Sequence, residues 1–200
     1  MLKNKLLLIC GGDNMGKTSL IKGLCDYYDY KNIVIRHCDK PSKNISQNEI
    51  LNYQFKCFEQ EFKMVNYIQQ MNHKFMYHNN IIIYDRFYLG EFVYGSLFRN
   101  YDPELIKNQI LILEEKYIKT LLNYSEIYLI TLTADTQFFF NNEDGKSYSQ
   151  TIEEKEKELN LFKEIHELSL IPKKLMIKVD NNGIFRDKNE ILNEVIEFIK

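Results

Sequence analysis

The chain has 200 residues, 26 basic and 28 acidic, and a net charge of −2 at pH 7. Its length fits one domain over 1–200, and its acidic balance speaks against a basic nucleic-acid binder. Fourteen Tyr and thirteen Phe in a 44% hydrophobic chain supply a core. No run approaches the ~20 apolar residues of a membrane helix, so no membrane partner is expected.

The first element is an apolar strand over 5–10. It is too short for a signal-peptide core, and it ends in Gly11-Gly12-Asp13-Asn14-Met15-Gly16-Lys17-Thr18. That is G-x-x-x-x-G-K-[ST], the phosphate-binding loop. A helix opens at Ser19. Strand, glycine-rich turn and helix are the context the motif needs. Its backbone N–H groups close around a polyphosphate at a positive helix end. Gly11, Gly12, Asn14, Met15, Gly16, Lys17, Thr18 and Ser19 are therefore the expected ATP-binding set. Lys17 would reach the β- and γ-phosphates, and Thr18 would hold Mg²⁺.

A second strand, 32–36, ends in Arg36. Ser46 with Glu49 reads as a capping box that opens a long helix toward Met76. Phe55, Phe58 and Phe62 lie on one face of it. The third strand, 80–84, leads into Asp85-Arg86-Phe87. A strand ending in Asp is the usual companion of the phosphate loop, with its carboxylate on Mg²⁺. Asp102-Pro103 caps a further helix, and a fourth strand covers 126–133. Thr151 with Glu154 opens a helix to Leu168. Its charge run Glu153-Glu154-Lys155-Glu156-Lys157-Glu158 reads as a solvated face. A fifth strand, 174–179, and a helix capped by Asp187 complete the chain. This alternation predicts an α/β fold: a five-stranded parallel sheet with helices on both faces. The polar stretch 141–147, with Gly145 as a hinge-like point, reads by its place in the chain as part of a short lid over 134–150. Ligands bind at the C-terminal ends of such strands, which puts the loop, Arg36 and Asp85 on one rim.

Four cysteines without C-x-x-C spacing read as reduced thiols in a cytoplasmic compartment. Only four of the basic residues are arginine: Arg36, Arg86, Arg99 and Arg186. An arginine kept in so lysine-rich a chain points to a need for its planar, bidentate fork.

Asp85-Arg86-Phe87 followed by Tyr94 resembles the D-R-[YFH]-x-x-S-x-x-A-Y pattern of thymidylate kinases. Asp13 matches the acidic position of that family's loop, and Arg36 with Pro41 resembles its R-x-P segment. The resemblance implies the P-loop kinase fold, ATP as donor, Mg²⁺ as cofactor and a nucleoside monophosphate as acceptor. It implies transfer of the γ-phosphoryl group to dTMP or a related pyrimidine deoxynucleotide by a chain that commonly pairs as a homodimer. Lys17, Arg86 and Asp85 become catalytic candidates. Asp13, Arg36, Phe62, Arg86, Tyr94 and Arg99 become acceptor-binding candidates, and Thr18 and Asp85 metal-holding ones. The family's Ser is Gly90 here and its Ala is Val93. Its lid arginine is absent, and Lys146 is the cation the lid offers in its place. Two rivals remain. A deoxynucleoside kinase would use a carboxylate base such as Asp39. A guanine-nucleotide switch would need N-K-x-D, which the chain lacks, although Asp180-Asn181-Asn182-Gly183 fits D-x-x-G.

Overall fold

A computed structural model describes residues 4–29, 33–37, 47–74, 81–145 and 147–200. Strand β1 (Asn4–Gly11) runs into helix α1 (Lys17–Tyr28), followed by β2 (Ile33–His37) and α2 (Gln47–Lys74). Then come β3 (Ile81–Asp85), α3 (Leu89–Phe98), α4 (Pro103–Leu121) and β4 (Ser125–Thr133). The chain closes with α5 (Thr136–Asn141), α6 (Ile152–Leu168), β5 (Lys173–Lys178), the short strands β6 (Asp180–Asn181) and β7 (Ile184–Phe185), and α7 (Lys188–Ile199).

Five strands form one parallel sheet in the order β2-β3-β1-β4-β5. The expected α/β architecture is what the chain adopts. Alternation along the strands divides the core in two. Leu6, Leu8, Ile82, Tyr84, Ile127 and Leu129 face α2, α3, α4 and α6. Leu7, Ile9, Ile81, Ile83, Ile130 and Leu132 face α1, α5 and α7. Both faces of each central strand are dry, so the strands read as unbroken apolar runs and not as alternating ones.

The expected caps act as such. Thr151 and Glu154 form a full capping box, Asp102 accepts from the Glu104 N–H, and Asp187 accepts from the N–H groups of Asn189 and Glu190. The starts expected at Asn32, Ser46 and Asn80 and the helix end at Met76 lie outside the described residues. Three elements went unread in the sequence. Helix α5 is one of them, and α3 another. The third is the β6–β7 hairpin, whose turn is Asn182-Gly183, both at positive φ. An Asn-Gly pair is a strong hairpin signal. The D-x-x-G match at Asp180 is this turn.

Cys10, Cys25 and Cys57 are free thiols, while Cys38 lies outside the described residues. Burial pushes the Cys10 thiol up to about 12, which keeps it inert. Among the described residues no helix is long and apolar enough to cross a membrane.

One buried carboxylate knits the helical layer. Glu114 on α4 is fully buried. It accepts from the Tyr88 hydroxyl at 2.6 Å, the Ser169 hydroxyl at 2.7 Å and the Leu170 N–H at 2.6 Å. Glu114→Ala would strand those donors. The expected loss is about 2–3 kcal/mol of unfolding free energy in urea, against about 1 kcal/mol for Tyr88→Phe. Equal losses in the two variants would contradict this account.

Candidate active site

The carboxyl ends of β1 and β3 adjoin, and the helices that follow them leave toward opposite sides of the sheet. Such a switch point leaves a crevice. A cavity of about 720 Å³ occupies it, lined by Asp13, Asn14, Met15, Gly16, Lys17, Thr18, Ser19, His37, Asp85 and Arg86, with Phe185, Arg186 and Lys188 among the residues on the far side.

The loop's shape follows from its glycines. Gly11 has a φ of +134°, and a Cβ there would lie 2.6 Å from the Leu132 carbonyl oxygen. A Cβ on Gly12 would lie 2.5 Å from the Phe139 ring. Neither position accepts a side chain. Lys17 is 6% exposed, and its ammonium donates to the Gly11 carbonyl at 2.9 Å and to the Gly12 carbonyl. Burial lowers its pKa, against the charges of Asp85, Glu158 and Cys10, which raise it. Met15 is buried, so its side chain belongs to the core and only its backbone serves the loop. Thr18 and Ser19 are exposed on the cavity wall.

Asp85 closes β3. Its Oδ2 lies 3.3 Å from His37 Nδ1, and its Oδ1 is buried without a hydrogen-bond partner. An unpartnered carboxylate oxygen and the Thr18 hydroxyl in one cavity are the hard donor set that Mg²⁺ takes. The next residue, Arg86, extends the ladder with a 3.1 Å bond to the Ile9 carbonyl and then turns at φ +56°. That conformation is uncommon for a side chain with a Cβ. It turns the chain off the strand tip, where the Arg86 guanidinium pairs with Asp13 of the loop. The guanidinium carbon also lies 5.6 Å from the centre of the Tyr94 ring. Asp13, Arg86 and Tyr94 are therefore brought together.

Other expected site residues are placed elsewhere. Arg36 forms a two-point pair with Glu61 of α2, at 3.2 and 2.5 Å, and Glu61 also accepts from the Tyr84 hydroxyl. Arg99 was expected at the acceptor phosphate or on Asp102. It instead bonds Glu91 at 2.5 Å, and it does not line the cavity. Phe62 was, with Phe55 and Phe58, one of three candidates to stack on the acceptor base. It is 2% exposed and packs among Phe87, Tyr88 and Tyr117, so its faces are already covered. Phe55 and Phe58 are buried as well. Lys146 and Asp39 lie outside the described residues.

Within the 134–150 segment, Phe138 and Phe139 are buried in the core, and Phe138 packs edge-on against Phe185 of the hairpin. The charge run of α6 is not wholly solvated. Lys155 is 0% and Glu158 1% exposed, on the face that carries Leu159 and Phe162. Lys155 pairs with Glu143 and lies 4.1 Å from the centre of the Phe139 ring. Glu158 accepts from Tyr94 and Ser149. The spacing 155, 158, 159, 162 was the available signal, since it is one helical stripe.

Neither a protein-family model nor a curated protein sequence matches the chain. Its backbone does match solved structures. A thymidylate kinase from Ehrlichia chaffeensis superposes with a TM-score of 0.65 over 100% of both chains, at 16% identity. The chain has the fold of a thymidylate kinase. The YorR protein of Bacillus subtilis, solved with phosphorylated GDP, gives 0.61 at 18% identity over 97% of this chain and 95% of its own. A polyphosphate kinase 2 from Arthrobacter aurescens TC1 gives 0.57 at 7% identity over 98% of this chain and 65% of its own. At these identities the likeness is one of fold, the five-stranded parallel sheet with helices that the sequence predicts.

The Glu143–Lys155 pair makes stability at this edge of the site depend on pH. Burial opposes ionisation of Glu143, but Lys155 and the Ser147 N–H outweigh it and hold the carboxyl at about 2, below its ordinary 4.5. A lowered carboxyl stabilises the fold above pH 4.5, and that contribution is lost as pH falls toward 2. Glu143→Gln should therefore cost on the order of 3 kcal/mol at pH 7 by leaving Lys155 buried and unpaired. The gap from the parent protein in urea midpoints should narrow between pH 4.5 and pH 2. A gap that stays constant over that range would refute the assignment.

Proposed function

We propose that the protein transfers the γ-phosphoryl group of ATP to a nucleoside monophosphate, with dTMP or a related pyrimidine deoxynucleotide as acceptor. The observation that carries this reading is the cluster Asp13–Arg86–Tyr94 beside the phosphate loop. A triphosphatase or a switch needs only the cradle. An arginine fixed beside the cradle suits a second phosphate group.

Each part of the rim then has a task. The loop from Gly11 to Ser19 holds the donor polyphosphate through its N–H groups, and Lys17 neutralises its β- and γ-oxygens. Thr18 and Asp85 would hold Mg²⁺, which spreads the charge of the transferring group when bound. Asp13 orients Arg86, and Arg86 grips the acceptor phosphate together with Arg36, once Arg36 exchanges Glu61 for the incoming dianion. An acceptor phosphate oxygen forms a bond to the γ-phosphorus. The bond from that phosphorus to the β–γ bridging oxygen breaks, and its electron pair leaves with ADP. The acceptor is already anionic, so no general base is needed, and catalysis is positioning plus charge neutralisation. Arg99 and Phe62 receive no direct role. Their tasks are to hold Glu91 and to fill the core. The thymidylate kinase fold and the D-R-F motif both support dTMP as the first acceptor to try.

The test is a panel of nucleosides and monophosphates incubated with Mg·ATP and scored for phosphorylated product. Monophosphates, dTMP foremost, should become diphosphates while free nucleosides stay unchanged. Lys17→Ala should lower the rate on the order of 10²-fold or more with the fold intact by circular dichroism. Turnover of nucleosides alone, or an undiminished rate in Lys17→Ala, would overturn the proposal.

A further inference from the structure

Glu158 is the carboxylate that the mechanism above leaves unused. It sits on α6, 1% exposed, directly behind the phosphate loop. A Cβ on Gly12 would approach its Oε1 to 3.1 Å. Its partners are neutral: the Tyr94 hydroxyl donates to Oε1 at 2.9 Å, and the Ser149 hydroxyl donates to Oε2. Among the described residues no cation forms an ion pair with it, and Lys155, one turn earlier, pairs with Glu143. Lys17 lies within electrostatic reach of it but makes no direct contact, and a buried carboxylate with neither a contacting cation nor solvent is costly. A leucine or a glutamine would fill the same space at lower cost, so packing alone does not account for it.

Glu158 does one thing that those residues would do poorly. It pins the Tyr94 phenol from below while the ring presents a face to Arg86 at 5.6 Å. A phenol that donates to a carboxylate has an electron-richer ring, and a cation over that ring is held more firmly. Arg86 itself leaves the strand tip in an uncommon backbone conformation and has Asp13 on its other side. We propose that Glu158 is a positioning residue: it fixes Tyr94, and through Tyr94 the Arg86 guanidinium, in the pose that receives the acceptor phosphate. Ser149 brings the end of the 143–149 segment to the same carboxylate, so that segment and the acceptor grip share one anchor. The proposal rests on the phosphotransfer reading for its kinetic consequences but not for its structural one.

Two readouts test it on the full chain, in the parent protein, Glu158→Gln, Tyr94→Phe and the double variant. The first is steady-state kinetics with the best acceptor of the panel. Glu158→Gln and Tyr94→Phe should each raise the acceptor KM about tenfold, the effect of weakening one hydrogen bond to a charged group. The KM for ATP should stay within about twofold in Tyr94→Phe, which leaves the Glu158 charge near Lys17 in place, and the double variant should raise the acceptor KM no further than the poorer single one, as expected of residues acting as a unit. The second is labelling of Arg86 by phenylglyoxal, quantified by mass spectrometry without substrate. It should quicken about fivefold in each variant as the guanidinium is freed. A purely structural role would lower the urea midpoint and leave both the acceptor KM and Arg86 labelling of the folded protein unchanged. That result overturns the proposal. If the parent protein phosphorylates no monophosphate, the functional reading fails, and Arg86 labelling still decides the positioning role. If Glu158→Gln does not fold, Tyr94→Phe carries both readouts, and unchanged values in it overturn the proposal equally.

Discussion

Lys17 places an ammonium group at the end of an apolar strand, and burial there makes its charge expensive. The strand cannot continue past Gly11, because the loop carbonyls must turn inward to receive that ammonium. Two carboxylates stand within electrostatic reach, Asp85 from the neighbouring strand and Glu158 from α6. Their positions follow from the sheet. The parallel pairing of β1 with β3 sets Asp85 opposite Ile9, two residues before the loop begins. A one-residue slip in that register would turn Asp85 to the other face and leave the Lys17 charge without its nearest strand partner. The dry, two-sided sheet therefore does more than supply stability. It fixes the relation between the cation and the carboxylate that the cavity is built on.

Around this centre the arginines are held and not free. Arg36 pairs with Glu61, Arg86 with Asp13, Arg99 with Glu91 and Arg186 with Glu194. A guanidinium carries five donors in a fixed plane, and one carboxylate uses at most two of them. Pairing therefore orients the fork and leaves donors for an incoming anion. The four pairs differ in exposure, and the difference sorts their tasks. The Glu91 carboxylate on Arg99 is almost fully buried, so that pair is structural and braces α3. The side chains of the Arg36 and Arg86 pairs are between 22% and 37% exposed, more open to solvent than the Glu91 carboxylate. An anion that displaces Glu61 must outbid a two-point contact, which favours a dianion over a singly charged group.

The fold was legible because its signals are local and redundant. Central strands buried on both faces give unbroken apolar runs, capping residues mark three of the helices, and the glycine-rich loop permits one geometry. Of the candidate site, the motif residues from Gly11 to Thr18 and from Asp85 to Tyr94 could be picked out in the sequence, and the structure brings them together. What stayed hidden depends on contacts between distant segments. Phe62 sits on a helix stripe that reads first as a core face and leaves open whether one of its rings meets a base, and only the contacts with Phe87 and Tyr88 ahead of α3 and with Tyr117 of α4 show its ring covered. Arg99 was read as a partner of the acceptor phosphate or of Asp102, and the packing of α3 pairs it with Glu91, eight residues away. Lys155 and Glu158 were concealed by their own kind. Inside a run of six charges, two inward-facing members look like the other four, and only the apolar residues at 159 and 162 mark their face.

Helix α6 then acquires a meaning that its composition disguises. Its capping box fixes where the helix starts, and that start sets the rotation of every later residue about the axis. From Thr151, positions 155, 158, 159 and 162 turn inward together. The inward face meets three separate parts of the rim in succession: Glu143 and Phe139 through Lys155, Tyr94 and Ser149 through Glu158, and the sheet core through Phe162. A rotation of the helix by one residue, about 100°, would expose both buried charges, bring Glu156 to the place of Lys155 opposite Glu143, and bring Leu159, which cannot accept a hydrogen bond, to the place of Glu158. The register of one amphipathic helix, set by Thr151 and Glu154 at its exposed end, is thus what holds the buried charges in line behind the phosphate loop.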